Sequence, residues 1–142
     1  MGCTTSTLFG GVAVTRAGAL HGVREDVRDI SDTFPTLAVV AACASSPSEI
    51  VGVGHTRRQE SDRIAAVAAG LRALGTEVTE YADGLRIVPR PMHGAVVDAA
   101  GDHRIAMAFS VLGLQVPGIA IAGWESVSKT YPAFYEMLIS LG

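Results

Sequence analysis

The seven residues Arg57-Arg58-Gln59-Glu60-Ser61-Asp62-Arg63 hold five charges in a chain that is only 18% charged overall. Ile64, Val67, Ala68, Leu71 and Leu74 follow at steps of three and four, the apolar stripe of an amphipathic helix. The charges therefore open a helix, where unpaired backbone N–H groups and the positive end of the dipole attract anions. Arginines in that turn add to the attraction for phosphate or carboxylate. A plainer reading is a solvated turn in which Glu60 and Arg63 pair at i,i+3, for about 0.2–0.5 kcal/mol. Asp32 and Asp102 stand at the starts of two further helical patterns, where an aspartate cap contributes about 1 kcal/mol, with Thr33 the alternative cap of the first. Asp62 is placed to serve the dipole of its own first turn in the same way.

The elements that must position these residues are short and punctuated by Gly, Pro and polar clusters. Residues 4–9, 11–15 and 23–30 read as strands, and 32–44 as a helix with Pro35 in its first turn. Residues 49–54 read as a strand, 61–74 as a helix closed by Gly75, and 76–81 with 85–88 as a hairpin turning at Asp83-Gly84. The pattern then continues with a strand at 95–98, a helix at 102–114, a strand at 119–122 and a helix at 131–141 ended by Gly142. Asp32 and Asp102 are 70 positions apart, and Glu60 and Lys129 are 69 apart. The two offsets agree to one residue. Each first helix starts with an acid and each second with a charged residue, Glu60 or Lys129, so the chain reads as two copies of one unit, about 1–75 and 76–142, within a single domain. The fold class is α/β.

The chain's 142 residues, 49% apolar, suffice for one domain with a sizeable core. A net charge of -3 supplies no field for nucleic acid, so attraction for anions must be local. The longest apolar run, 37–44, is too short to cross a bilayer, which points to a cytoplasmic protein without a membrane partner. Cys3 and Cys43 are not spaced as a metal pair and fit reduced thiols. The histidines show no metal-ligand spacing, and no metal or other cofactor is expected.

Five strings carry a family resemblance: 32–38 (DTFPTLA), Arg57 with Glu60-Ser61-Asp62-Arg63, 74–78 (LGTEV), 101–107 (GDHRIAM) and Lys129-Thr130-Tyr131-Pro132. In this order they resemble the C-terminal part of 5-enolpyruvylshikimate-3-phosphate (EPSP) synthase. That family transfers the enolpyruvyl group of phosphoenolpyruvate to the 5-hydroxyl of shikimate 3-phosphate on the route to chorismate. The resemblance implies repeated βαβαββ units of the inside-out α/β barrel type, helices inside and sheets outside, about two of the three units of one domain. It implies Asp32 as the group that contacts the shikimate hydroxyls and takes the 5-hydroxyl proton, and Glu60 as the carrier of the methylene proton. Arg63 and Arg104 match the pair that clamps the phosphoenolpyruvate carboxylate, and Lys129 the lysine beside its phosphate. Arg57, Asp62, Asp102 and His103 are expected to support these groups from behind.

Two departures from the family stand out. Gln59 occupies the place of a usual lysine facing shikimate 3-phosphate, which removes a cation but keeps hydrogen-bonding capacity. The chain also contains no counterpart of the family's N-terminal Lys-Ser segment or its Ser-Ser-Gln segment, which supply much of the phosphate binding. It is expected to hold half an active site and to turn over little unless an N-terminal polypeptide complements it. Apolar flank left open where a third unit would pack makes self-association the other expected partnership. The alternative function is a non-catalytic module that binds small anions. A sister transferase acting on a UDP-sugar would need a cysteine on a mobile loop, and neither Cys3 nor Cys43 is so placed.

Overall fold

A computed structural model describes residues 1–140. Eight strands and four α-helices follow in the order β1 (Cys3–Leu8), β2 (Gly11–Arg16), β3 (Arg24–Asp26), α1 (Phe34–Ala42), β4 (Ser48–Val51), α2 (Arg63–Ala73), β5 (Glu77–Tyr81), β6 (Gly84–Val88), β7 (Val96–Asp98), α3 (His103–Gly113), β8 (Ala120–Ala122) and α4 (Phe134–Ile139). Short 3-10 helices at Arg28–Thr33, Gly54–Arg58 and Trp124–Lys129 lead into α1, α2 and α4.

Helices α1, α2 and α3 pack on one another, while the strands β4, β5 and β6 and the pair β7 and β8 lie against their outer sides. Phe34, Ile64, Val67, Leu71, Ile105 and Phe109 are sealed from solvent between them, each contributing about 1.5–3 kcal/mol by burial. Gly70 allows the closest approach: a Cβ there would stand 2.5 Å from the Phe109 ring and 2.9 Å from Val97.

The described strands form three sheets, two of which pack on this helical interior. Hairpin β1–β2 stands as a two-stranded antiparallel sheet, and the central sheet runs β3-β4-β6-β5. In that sheet β3 and β4 are parallel, and the hairpin β5–β6 adds antiparallel to β4. Strands β7 and β8 form a parallel pair of their own.

Several boundaries differ from the sequence reading. The strand expected over 23–30 is only Arg24–Asp26, because the Asp26 carboxylate accepts the Arg28 N–H at 3.0 Å and folds the chain into a 3-10 turn. Asp32 lies in that turn and does not cap α1, whose N-cap is Thr33 without a side-chain cap bond. The hairpin turns at Ala82-Asp83, with Tyr81 opposite Gly84, one residue earlier than expected. The last helix begins at Phe134 rather than at Tyr131, since the residue before Pro132 is steered away from helical geometry. Its expected stop at Gly142 lies outside the described residues.

Candidate functional site

Two aspartates set the starts of α2 and α3. Asp62 caps α2 by accepting the Ala65 N–H at 3.0 Å, and Asp102 caps α3 through the Arg104 N–H at 2.9 Å. Arg57 grips both oxygens of Asp62, at 3.0 and 2.9 Å, and with its other nitrogens binds Glu80 and the carbonyls of Tyr81 and Ala82. This clasp fastens the start of α2 to the end of hairpin β5–β6. Arg57 and Asp62 thus sit at the junction of two elements, with their polar atoms spent on it.

Arg63, in the first turn of α2, is buried together with Asp102. Its Nε donates to Asp102 Oδ2 at 2.7 Å, while Nη1 donates to Asp32 Oδ1 at 3.0 Å and to Gln59 Oε1 at 2.6 Å. Arg104, in the first turn of α3, reaches the other oxygen of Asp32 at 2.7 Å. One carboxylate therefore spans two guanidinium groups, the bonding that a bound carboxylate ligand would make with the same pair.

Beside this pair, Glu60 Oε2 meets His103 Nδ1 at 2.9 Å and Lys129 Nζ at 3.3 Å. Lys129 also donates to the Gly101 carbonyl at 3.3 Å, which ties it to the loop ahead of α3. The cluster grades outward from a dry base of Arg63 and Asp102, through His103, to a rim of Asp32, Glu60, Arg104 and Lys129. The rim side chains are 37–56% exposed, open enough to exchange partners.

Burial by itself would raise the Asp102 carboxyl, but the Arg63 guanidinium, the Arg104 N–H and the Ser61 hydroxyl hold it below the usual carboxylate range. Burial also works against the Arg63 charge, and Asp102 and Asp32 more than restore it. The base of the cluster is a fixed ion pair, whereas the rim holds exchangeable charges.

Asp32, Gln59, Glu60, Arg63, Asp102, His103, Arg104 and Lys129 come together in this cluster, while Arg57 and Asp62 form the clasp behind it. Glu60 and Arg63 do not make the anticipated i,i+3 pair, since Arg63 turns inward to Asp102 and Glu60 turns to His103 and Lys129. Gln59 works as an acceptor: Arg63 only donates, so the amide oxygen must face it. Lys129 ends the 3-10 helix Trp124–Lys129 instead of opening α4. Ser61, quoted in the sequence pattern but given no role there, donates to Asp102 at 3.2 Å. Only the spatial neighbourhood of α3 gives it that meaning.

Glu60, Asp102 and His103 bring potential metal-ligand atoms within 4.8 Å of one another. Arg63 and Lys129 already occupy those carboxylates, and a cation would have to displace them. The cluster is an open wall. A cavity of about 760 Å³ lies elsewhere, between Val39 and Cys43 of the α1 end and the segments at 89–92 and 111–117.

Comparison with known proteins matches residues 1–138 to the family model for EPSP synthase (3-phosphoshikimate 1-carboxyvinyltransferase). The 3-phosphoshikimate 1-carboxyvinyltransferase of Methanosphaerula palustris is 47% identical over the whole chain, which spans 34% of that relative's length. The Nostoc punctiforme protein of the same name is 44% identical over 99% of the chain and 33% of the relative. Among solved structures, an EPSP synthase from Acinetobacter baumannii superposes with a TM-score of 0.86 at 31% identity, over 99% of this chain and 36% of that one. The enolpyruvyl transferase NikO from Streptomyces tendae superposes at 0.78 with 25% identity, over all of this chain and 33% of that one. The α/β fold is therefore that of the enolpyruvyl transferases, and the chain spans about a third of the length of the curated relatives it matches.

Proposed function

Because the chain belongs to the EPSP synthase family, we propose that its charged wall is one side of an active site for enolpyruvyl transfer from phosphoenolpyruvate to the 5-hydroxyl of shikimate 3-phosphate. The observation that carries this reading is the Asp32 carboxylate bridging Arg63 and Arg104 at 3.0 and 2.7 Å. A phosphoenolpyruvate carboxylate entering that fork takes the place of Asp32, which then swings free to face the shikimate hydroxyls. Asp32 accepts the 5-hydroxyl proton as the oxygen bonds to C2 of phosphoenolpyruvate, and Glu60 delivers a proton to the methylene carbon. Loss of that proton back to Glu60 and departure of phosphate beside Lys129 complete the exchange. His103 orients Glu60, Asp102 holds Arg63 in place, and Gln59 steadies Arg63 on the side that faces shikimate 3-phosphate. Arg57 and Asp62 keep the start of α2 fixed.

One wall does not exclude water or surround two phosphates, so the 142-residue chain alone turns over little or not at all. It acts in a single domain of two repeated units, in the cytoplasm and without a cofactor. A polypeptide carrying the N-terminal part of the site completes it. None of the helices among the described residues is long and apolar enough to cross a membrane.

The test mixes the chain with the remaining part of the Methanosphaerula palustris relative and measures phosphate release from the two substrates. Release that needs both polypeptides, and falls at least about 100-fold for Glu60→Gln, is expected from loss of a proton carrier. Absence of release at every mixing ratio would instead favour a module that binds small anions without turnover.

A further inference from the structure

The tip of hairpin β5–β6 reaches across to the turn that leads into α2. Asp83 Oδ1 accepts the Gly54 N–H at 2.6 Å and Oδ2 the Gly52 N–H at 3.2 Å, while the Asp83 carbonyl accepts the Val53 N–H at 3.2 Å. Three successive amides thus converge on one residue, forming the kind of backbone nest that in other settings holds a bound anion. Two glycines shape it: Gly52 has φ of 82°, and at Gly54 a Cβ would stand 2.7 Å from the Asp83 carboxylate. In the other direction Arg57 donates to the carbonyls of Tyr81 and Ala82. Every residue from Tyr81 to Asp83 is therefore bonded to the turn.

The hairpin itself does not call for this aspartate. A two-residue hairpin loop favours left-handed residues, a role that Asn fills as well as Asp, and neither Ala82 nor Asp83 is left-handed. The two N–H groups do call for it. Each takes a different carboxylate oxygen, and an asparagine would turn its NH2 toward one of the two donors. The negative charge also strengthens bonds of this kind, in keeping with the short one at Gly54.

The nest holds in place the run that carries the rim of the charged cluster. Thr56, sealed from solvent, bonds twice to the Val53 carbonyl, and Arg57 clasps Asp62, but residues 59–61 belong to no helix or strand. Gln59 and Glu60 thus stand on an arch whose place is set at its two feet, 52–54 and 62. Arg63 and Arg104 are placed differently, by the first turns of α2 and α3 and by Asp102. We propose that Asp83 is a positioning residue for Glu60: its carboxylate, bonded to backbone N–H groups, fixes the foot of the arch that aims Glu60 at His103 and Lys129. The catalytic consequence rests on the role given to Glu60 above, whereas the contact does not.

Asp83→Asn tests this in two ways. In the chain alone, the NMR resonances of the Glu60 carboxyl carbon and the His103 ring nitrogens should shift, while the Arg63 Nε–H resonance, held by Asp102, stays in place. In the chain complemented by the remaining part of the Methanosphaerula palustris relative, kcat should fall at least about tenfold with KM for phosphoenolpyruvate kept within about threefold, because the proton carrier is displaced and the fork is intact. A general loosening of the fold would move all of these together. Asp83→Glu keeps both acceptor oxygens one methylene further out, and should give the same shifts at smaller size in a chain that folds even if the Asn variant does not. Glu60 and His103 resonances that stay still, or a kcat that holds while the unsubstituted pair turns over, would overturn the proposal. Absence of turnover from the unsubstituted pair would instead reject the enzyme reading, and the shifts alone would then decide the positioning.

Discussion

Asp102 and Arg63 carry opposite charges into a place water does not reach, and that fixes where the rest of the cluster stands. Removing one partner of a buried pair leaves the other uncompensated, so Asp102→Ala should cost about 3–5 kcal/mol of stability in urea denaturation. Asp102→Asn keeps the cap on α3 and should cost less. The pH dependence follows from the depressed Asp102 carboxyl. Its stabilisation is complete above the unfolded aspartate value of about 3.9 and is lost as pH falls through the lower folded value. The native chain should therefore lose stability steeply below about pH 4, and the Asn variant should show a flatter acid limb. Thermal unfolding across that range reads the difference, and identical acid limbs would remove Asp102 from this role.

Helices α2 and α3 were legible because their signals are local: an aspartate cap, an apolar stripe, and, after α2, a glycine with φ of 95°. The three 3-10 segments were not, since turns bonded at i+3 carry no apolar periodicity long enough to detect. Missing the one at Trp124–Lys129 is why Lys129 was expected at the opening of a helix. The types of the charged residues were legible through the family resemblance, but their pairing was not. Arg63 has acids before and after it in sequence, and only the fold decides that it turns to Asp102 and Asp32 rather than to Glu60. Glycines tell a similar story: Gly84 looks like a turn residue in the sequence, yet it is held by the 2.0 Å approach of the Ile50 carbonyl to its Cβ position. Gly84→Ala should push β4 and β6 apart and cost about 3 kcal/mol, measured by denaturant unfolding. A loss as small as an ordinary surface change would contradict the register.

The wall of charges faces outward on a chain that spans a third of its relatives, and its chemistry depends on what comes to face it. The fork is filled from within by Asp32, so on the proposed function a carboxylate ligand would compete with that side chain for the same two arginines. That competition is the central claim, and a phosphoenolpyruvate titration followed through the side-chain N–H resonances of Arg63 and Arg104 tests it most directly. Both sets of resonances should move on binding to the unmodified chain. In Asp32→Ala, relieved of the internal carboxylate, the affinity should rise about fivefold, as befits a part-exposed pair of about 1 kcal/mol. Resonances that stay still while phosphoenolpyruvate binds, or an Asp32→Ala variant that binds it more weakly, would show that the carboxylate does not enter the fork.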